Sequence, residues 1–145
     1  MTEEDKRLLI QELSARLPYR VFVHTWYDKP LDIRYTGIDI YTNTIRLDLP
    51  EDDDAWVYIN NAKPYPRPLS SMTKEEKKKV CSLNGISLIE LNERLKWDIY
   101  VKVYTIETFD YFNAKHLDYR GLIEKDLAIE VTEENNPYKE NDTRR

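Results

Sequence analysis

Glycine is scarce here, three in 145 residues, and that leaves little room for Gly-rich phosphate loops or β-helix repeats. A single cysteine, Cys81, excludes an internal disulfide framework, and the only histidines are His24 and His116. Neither C-x-x-C nor H-E-x-x-H occurs, so no metal-ligand spacing can be read and no metal or cofactor is expected. No apolar run approaches the ~20 residues that span a bilayer. The first ten residues, MTEEDKRLLI, are acidic where a secretory leader would be basic, so a cytoplasmic location with no membrane role is expected.

Charge and aromatic hydroxyl are plentiful. Charged residues make up 34% of the chain and hydrophobic ones 41%, a balance that fits one domain with a heavily solvated surface. Eleven tyrosines and three tryptophans suit half-buried strands and are also the residues that interfaces favour. The net charge of −5 is uneven. Residues 1–47 balance, residues 48–62 hold five acids and no base, and residues 63–79 hold six bases against two acids.

Periodicity divides the chain. Thr2 can cap a helix with Glu3, Glu4 and Asp5 in its first turn, and Leu8, Leu9, Leu13 and Leu17 give it a stripe that ends at Pro18. From Tyr19 to Asn61 the period becomes two. Val21, Val23 and Thr25 alternate with Phe22, His24 and Trp26, and DIRYTGIDIY follows after the turn-like DKP, with Gly37 as a bend or bulge. Thr42–Asn43 marks a hairpin into Ile45, Leu47 and Leu49, and Trp56–Ile59 reads as one more strand after the acidic PEDDD loop. These strands predict an antiparallel meander over 19–61, a strongly twisted sheet or a small SH3-like barrel.

KPYPRPLSSMTKEE, residues 63–76, comes next. Each proline holds the residue before it extended, so 62–72 reads as a stiff connector rising about 3.1 Å per residue. The spacing P-x-P-x-P lacks the P-x-x-P of SH3 ligands. Thr73 and Glu76 form a capping box, Asn84-Gly85 a stop, and Ser87 with Glu90 a second box, with Ile86 and Leu91 as its staple. Leu88, Leu91 and Leu95 share a face, WDIYVKVYTI predicts a late strand, and Thr105 or Thr108 opens a helix with Phe109, Phe112 and His116 along one side. Leu122, Ile123, Leu127 and Ile129 anchor the closing segment, and 132–145 is polar and without period, a loose tail beyond a single α+β domain at 1–131.

Two segments, KPYPRPLSSMTKEE and FNAKHLDYRGLIEKDLAIE, with LSARLPY upstream, resemble a family of small uncharacterised proteins common in gut bacteria and their phages. Where this chain has Pro66, Leu69 and Arg20, that family usually has Leu, Met and Gly, and its frequent Pro-Glu-Gly turn is missing after Val131. The resemblance implies a setting, phage or mobile-element cargo in a bacterial cell, and no activity.

The function expected is therefore a non-enzymatic module that binds a protein partner. Its candidate binding residues are Tyr65 and Arg67, pre-organised by the prolines, together with Tyr119 and Arg120. For Asp118, Tyr119 and Arg120 an internal polar latch is the plainer reading. A homodimer through exposed tyrosines fits the same composition. Nucleic-acid binding by the barrel is the first alternative, disfavoured by the overall acidity and by Lys77, Lys78 and Lys79, which spread around a helix at about 100° per residue. An enzyme is the second, and it needs the histidines and a carboxylate brought together in a cleft.

Overall fold

The structure is a computed structural model that describes residues 1–52, 54–97 and 104–139. In chain order these form α1 (Glu3–Arg16), β1 (Phe22–Tyr27), β2 (Lys29–Asp39), β3 (Thr44–Leu47), β4 (Trp56–Tyr58), β5 (Lys63–Pro64), β6 (Arg67–Pro68), α2 (Lys74–Asn84), α3 (Leu88–Trp97), α4 (Ile106–Ala114) and β7 (Leu117–Asp118). The fold is α+β. Five antiparallel strands lie in the order β4-β3-β2-β1-β5, and β6 pairs with β7 in parallel beside them.

Local chemistry explains the elements. Thr2 and Asp5 exchange side-chain and backbone bonds of 3.0 and 3.2 Å, a capping box that starts α1. Thr73 and Glu76 do the same for α2, which Gly85 stops with φ +62°. Asp28 and Asn43 take the left-handed conformation at the two hairpin turns. The first turn is tighter than DKP suggests, because Lys29 and Pro30 already pair with Tyr27 and Trp26.

β2 serves two partners, β1 along residues 29–34 and β3 along 35–39. The register shifts between Tyr35 and Gly37, so Thr36 is the bulged residue. That one extra residue keeps Ile33, Tyr35 and Ile38 on the inner face and Asp32, Arg34 and Gly37 on the outer one. The sheet does not close into a barrel. β4 has three residues and β5 two, one of them a proline without an N–H, so neither edge can carry a closing ladder.

Leu9 and Leu13 of α1 pack against the inner face, on Val21, Val23, Tyr35, Ile45 and Leu47, with Leu122 and Leu127 completing this core. Each such buried side chain contributes about 1.5–3 kcal/mol. Met72, Val80, Leu91, Phe112 and Leu117 form a second core among the helices. A third, smaller cluster unites Phe22, Tyr65 and Tyr138.

Three expectations need correction. The proline segment is woven into the body and is no free connector. The tail is docked as far as residue 139, because Tyr138 is 8% exposed and its ring meets Phe22 edge-on at 5.3 Å. His116 lies beyond the end of α4 at φ +60°, stacked 4.1 Å from Tyr138. The expected late strand falls mostly on residues 98–103, outside the described residues, while Trp97 ends α3.

Candidate functional site

The alternation P-x-P-x-P matches the period of a strand, and this decides where Tyr65 and Arg67 go. Pro64 and Pro66 turn their carbonyls to one edge, where they accept from Ile129 N and Val131 N at 2.9 Å each. Tyr65 and Arg67 turn their N–H groups to the other, donating to Phe22 O at 3.1 Å and His116 O at 2.6 Å. The missing donors of Pro64 and Pro66 thus face the one neighbour that brings its own. The Tyr138 hydroxyl accepts from Phe22 N at 3.1 Å and donates to Tyr65 O at 3.0 Å, bridging a gap in the β1–β5 ladder.

Tyr65 is therefore interior, 5% exposed, with its hydroxyl on Asp32 Oδ1 at 2.7 Å. Burial, then that bond, pushes its ionisation well above the usual tyrosine range. Arg67 grips Glu76 with both Nη atoms, at 2.9 and 2.7 Å, and gives Nη2 also to Ser71 O at 3.0 Å. Glu76 accepts from Thr73 N as well, and the Arg67 hydrogen bonds lead in lowering its pKa to about 2. Neither residue has a side chain left over for a partner.

At the C-terminal corner the latch forms, with α1 as its anchor. Asp118 accepts from Leu122 N and Ile123 N at 3.0 and 2.9 Å. Arg120 Nε and Arg16 Nε lie 3.2 and 2.9 Å from the same oxygen of Glu12, and both guanidinium groups stand over the Tyr119 ring, at 4.8 and 5.4 Å. Arg16 also donates to Leu117 O. Glu12 and Arg16 are 0% and 1% exposed, and burial raises the Glu12 pKa against the pull of both arginines. The buried Glu12–Arg16 pair was not expected from the sequence. Its signal was present: positions 12 and 16 fall on the helical face of Leu9 and Leu13, so a charged pair there is bound for the interior.

Tyr119 and Arg120 also border an open groove of roughly 1210 Å³ between α1, α3, α4 and the closing segment. Its charged lining is balanced, with Lys96, Arg120 and Lys125 against Asp118, Glu124 and Glu130, so it selects no ligand by sign.

The reactive side chains do not converge. His24 Nδ1 lies 2.7 Å from Asp32 Oδ1, the oxygen that Tyr65 also uses, but the pair is about half exposed on the open outer face. Among the described residues no hydrogen bond joins His24 to a Ser, Thr or Cys side chain. His116 stacks on Tyr138, and Cys81 sits against the second core. No group of three or more His, Cys, Asp or Glu side chains among the described residues could hold a metal ion.

What the outer face does present is aromatic. Trp56 and Tyr58, 39% and 60% exposed, are neighbours on one side of β4, with Val57 between them facing the core. Arg46 stands opposite Trp56, whose ring reaches across β3 to within 3.7 Å of the place a Cβ on Gly37 would take. Tyr41, 93% exposed, tips the adjoining hairpin, and Trp26 is 65% exposed farther along the sheet. The W-V-Y alternation carried this signal, since a strand that buries Val57 must turn both flanking rings outward.

Comparison of the chain with protein-family models, curated proteins and solved structures returned no match. Among the described residues no helix is long and apolar enough to cross a membrane.

Proposed function

We propose that this protein is a non-enzymatic protein-interaction module whose docking face is the outer surface of β3 and β4. The observation that carries this reading is the pair Trp56 and Tyr58, large rings side by side on the outer face and 39% and 60% exposed, on a strand where Val57 is already buried. Rigid aromatic side chains give large contact area for little ordering entropy, which is why they anchor interfaces. The face replaces Tyr65 and Arg67 as the candidate surface, because those two side chains are taken up by Asp32 and by Glu76.

A nucleic-acid ligand is disfavoured on this face, whose adjoining loop carries Asp48, Glu51, Asp52 and Asp54 and would repel phosphate. An enzymatic role is disfavoured by the openness of the His24–Asp32 pair and by the stacking of His116 on Tyr138. The resemblance of residues 63–76 and 112–130 to small proteins of gut bacteria and their phages supports a bacterial or phage setting for the partner.

The test is capture from a bacterial lysate, followed by binding measurements with the purified partner. Trp56→Ala/Tyr58→Ala weakens that binding by about a hundredfold, on the scale of two interface anchors. Tyr65→Phe, which keeps the ring in place, leaves it unchanged. A partner held equally well by the Trp56→Ala/Tyr58→Ala protein refutes the proposed face.

A further inference from the structure

We infer that the partner offers this face a lysine- or arginine-bearing extended segment, an inference that rests on the docking face proposed above. Residues 39–58 contain six acids and one base, a local excess equal to the whole chain's −5, so the rest of the protein is neutral in sum. By chain position and register, the described acids lie toward the two ends of β4. Asp48, Glu51, Asp52 and Asp54 belong to the loop that enters β4 directly before Trp56, and Asp39 ends β2 opposite Thr44, which in turn faces Tyr58.

Among the described residues none of Asp39, Asp48, Glu51, Asp52 or Asp54 forms an ion pair with lysine or arginine. Their hydrogen bonds are to neutral donors: Asp39 accepts from Tyr41 N and Thr42 N at 2.9 and 3.3 Å, and Asp52 from the Tyr27 hydroxyl at 2.5 Å and Asp54 N at 3.0 Å. Such bonds fix the carboxylates in place and leave their charge intact. The Asp39 and Asp52 carboxylates are thereby set before any partner arrives, which lowers the ordering cost of binding.

The aromatic rings and the acids favour the same group. An ammonium or guanidinium over the face of Trp or Tyr gains cation–π attraction, and carboxylates within about 8 Å attract it at physiological salt and less as salt rises. An apolar or acidic segment could use the rings but would leave the acids unanswered or repelled. Arg46, the single base of the stretch, is exposed beside Trp56 and sets one position where a partner cation is unwelcome.

An array of random nonapeptides probed with the full chain tests this, with the best binders then titrated free in solution. Bound peptides are expected to be rich in Lys and Arg. Their affinity is expected to fall at least about tenfold between roughly 50 and 300 mM NaCl. Glu51→Lys/Asp54→Lys is expected to weaken them by about tenfold or more while the thermal midpoint holds. Neutral or acidic binders that Trp56→Ala/Tyr58→Ala abolishes would overturn the charge assignment and leave the docking face standing. Binders indifferent to Trp56→Ala/Tyr58→Ala, or no binders at all, would overturn both. Equal competition by spermine would reduce the face to a general trap for polycations and overturn the peptide assignment. So would a concentration-dependent dimer that Trp56→Ala/Tyr58→Ala dissolves, since the occupant would then be a second copy.

Discussion

Replacing Tyr138 with phenylalanine isolates the role of one hydroxyl. That oxygen sits between Phe22 N and Tyr65 O, where an unbroken β1–β5 ladder would have a direct bond, and its residue is 8% exposed. Phenylalanine keeps the edge-on contact with Phe22 and the stack on His116. It leaves a buried N–H and a buried carbonyl without their partner, each worth about 1–3 kcal/mol, so unfolding free energy is expected to drop by about 2–4 kcal/mol. The assay is urea denaturation followed by far-UV circular dichroism, with the slope checked for constancy so that the midpoint shift reads as stability. Glu134→Ala, exposed on the same segment, serves as the control and should be silent. A loss under about 0.5 kcal/mol for Tyr138→Phe would refute the reasoning, since the ladder would then close without the hydroxyl.

Other consequences follow from the charged contacts and the exposed rings. Glu76 has a folded pKa of about 2 against an ordinary 4.5, so its stabilisation is complete above pH 4.5 and is lost as pH falls through 2. Glu76→Gln should therefore cost about 1–3 kcal/mol near neutral pH, and the gap from wild type should close in melts taken stepwise toward pH 2. Glu12→Ala leaves Arg16 charged and buried and should cost about 3–5 kcal/mol by denaturant titration, whereas replacing Glu12, Arg16 and Arg120 together by Met should restore most of it. Trp56→Ala/Tyr58→Ala should cost about 1–3 kcal/mol by the same titration without loss of the fold, because the Trp56 ring, 39% exposed, packs across β3 toward Gly37.

The elements that sequence reveals well are those set by local rules. The Thr73–Glu76 box, the Gly85 stop and the strand alternation of 21–26 were all readable, because capping and period act over a few residues. The glycine signal at Gly37 fell one residue beyond the bulge, which is Thr36. What escaped depends on neighbours distant in the chain. The prolines' role could not be read without knowing that residues 129–131 lie beside them, and Tyr138 looked like part of a solvated tail until its ring met Phe22, 116 positions away. The binding candidates share one trait: Tyr65, Arg67, Tyr119 and Arg120 read as anchors for a partner, and each also has a partner inside the fold. Trp56 and Tyr58 were legible as strand residues, and only the fate of Val57 says which way they point.

The proline edge has a consequence for how the protein fails. Should heat or proteolysis lift residues 129–139 away, the strand left bare would show carbonyls at 64 and 66 and no amide hydrogen on that side. A foreign β-strand needs both donors and acceptors to zip on, and this border supplies acceptors alone. In a molecule stripped of its C-terminal strap that border is thus shielded from stacking into ladders with its neighbours, and its prolines act there as a guard against aggregation that is called on only when the fold begins to open.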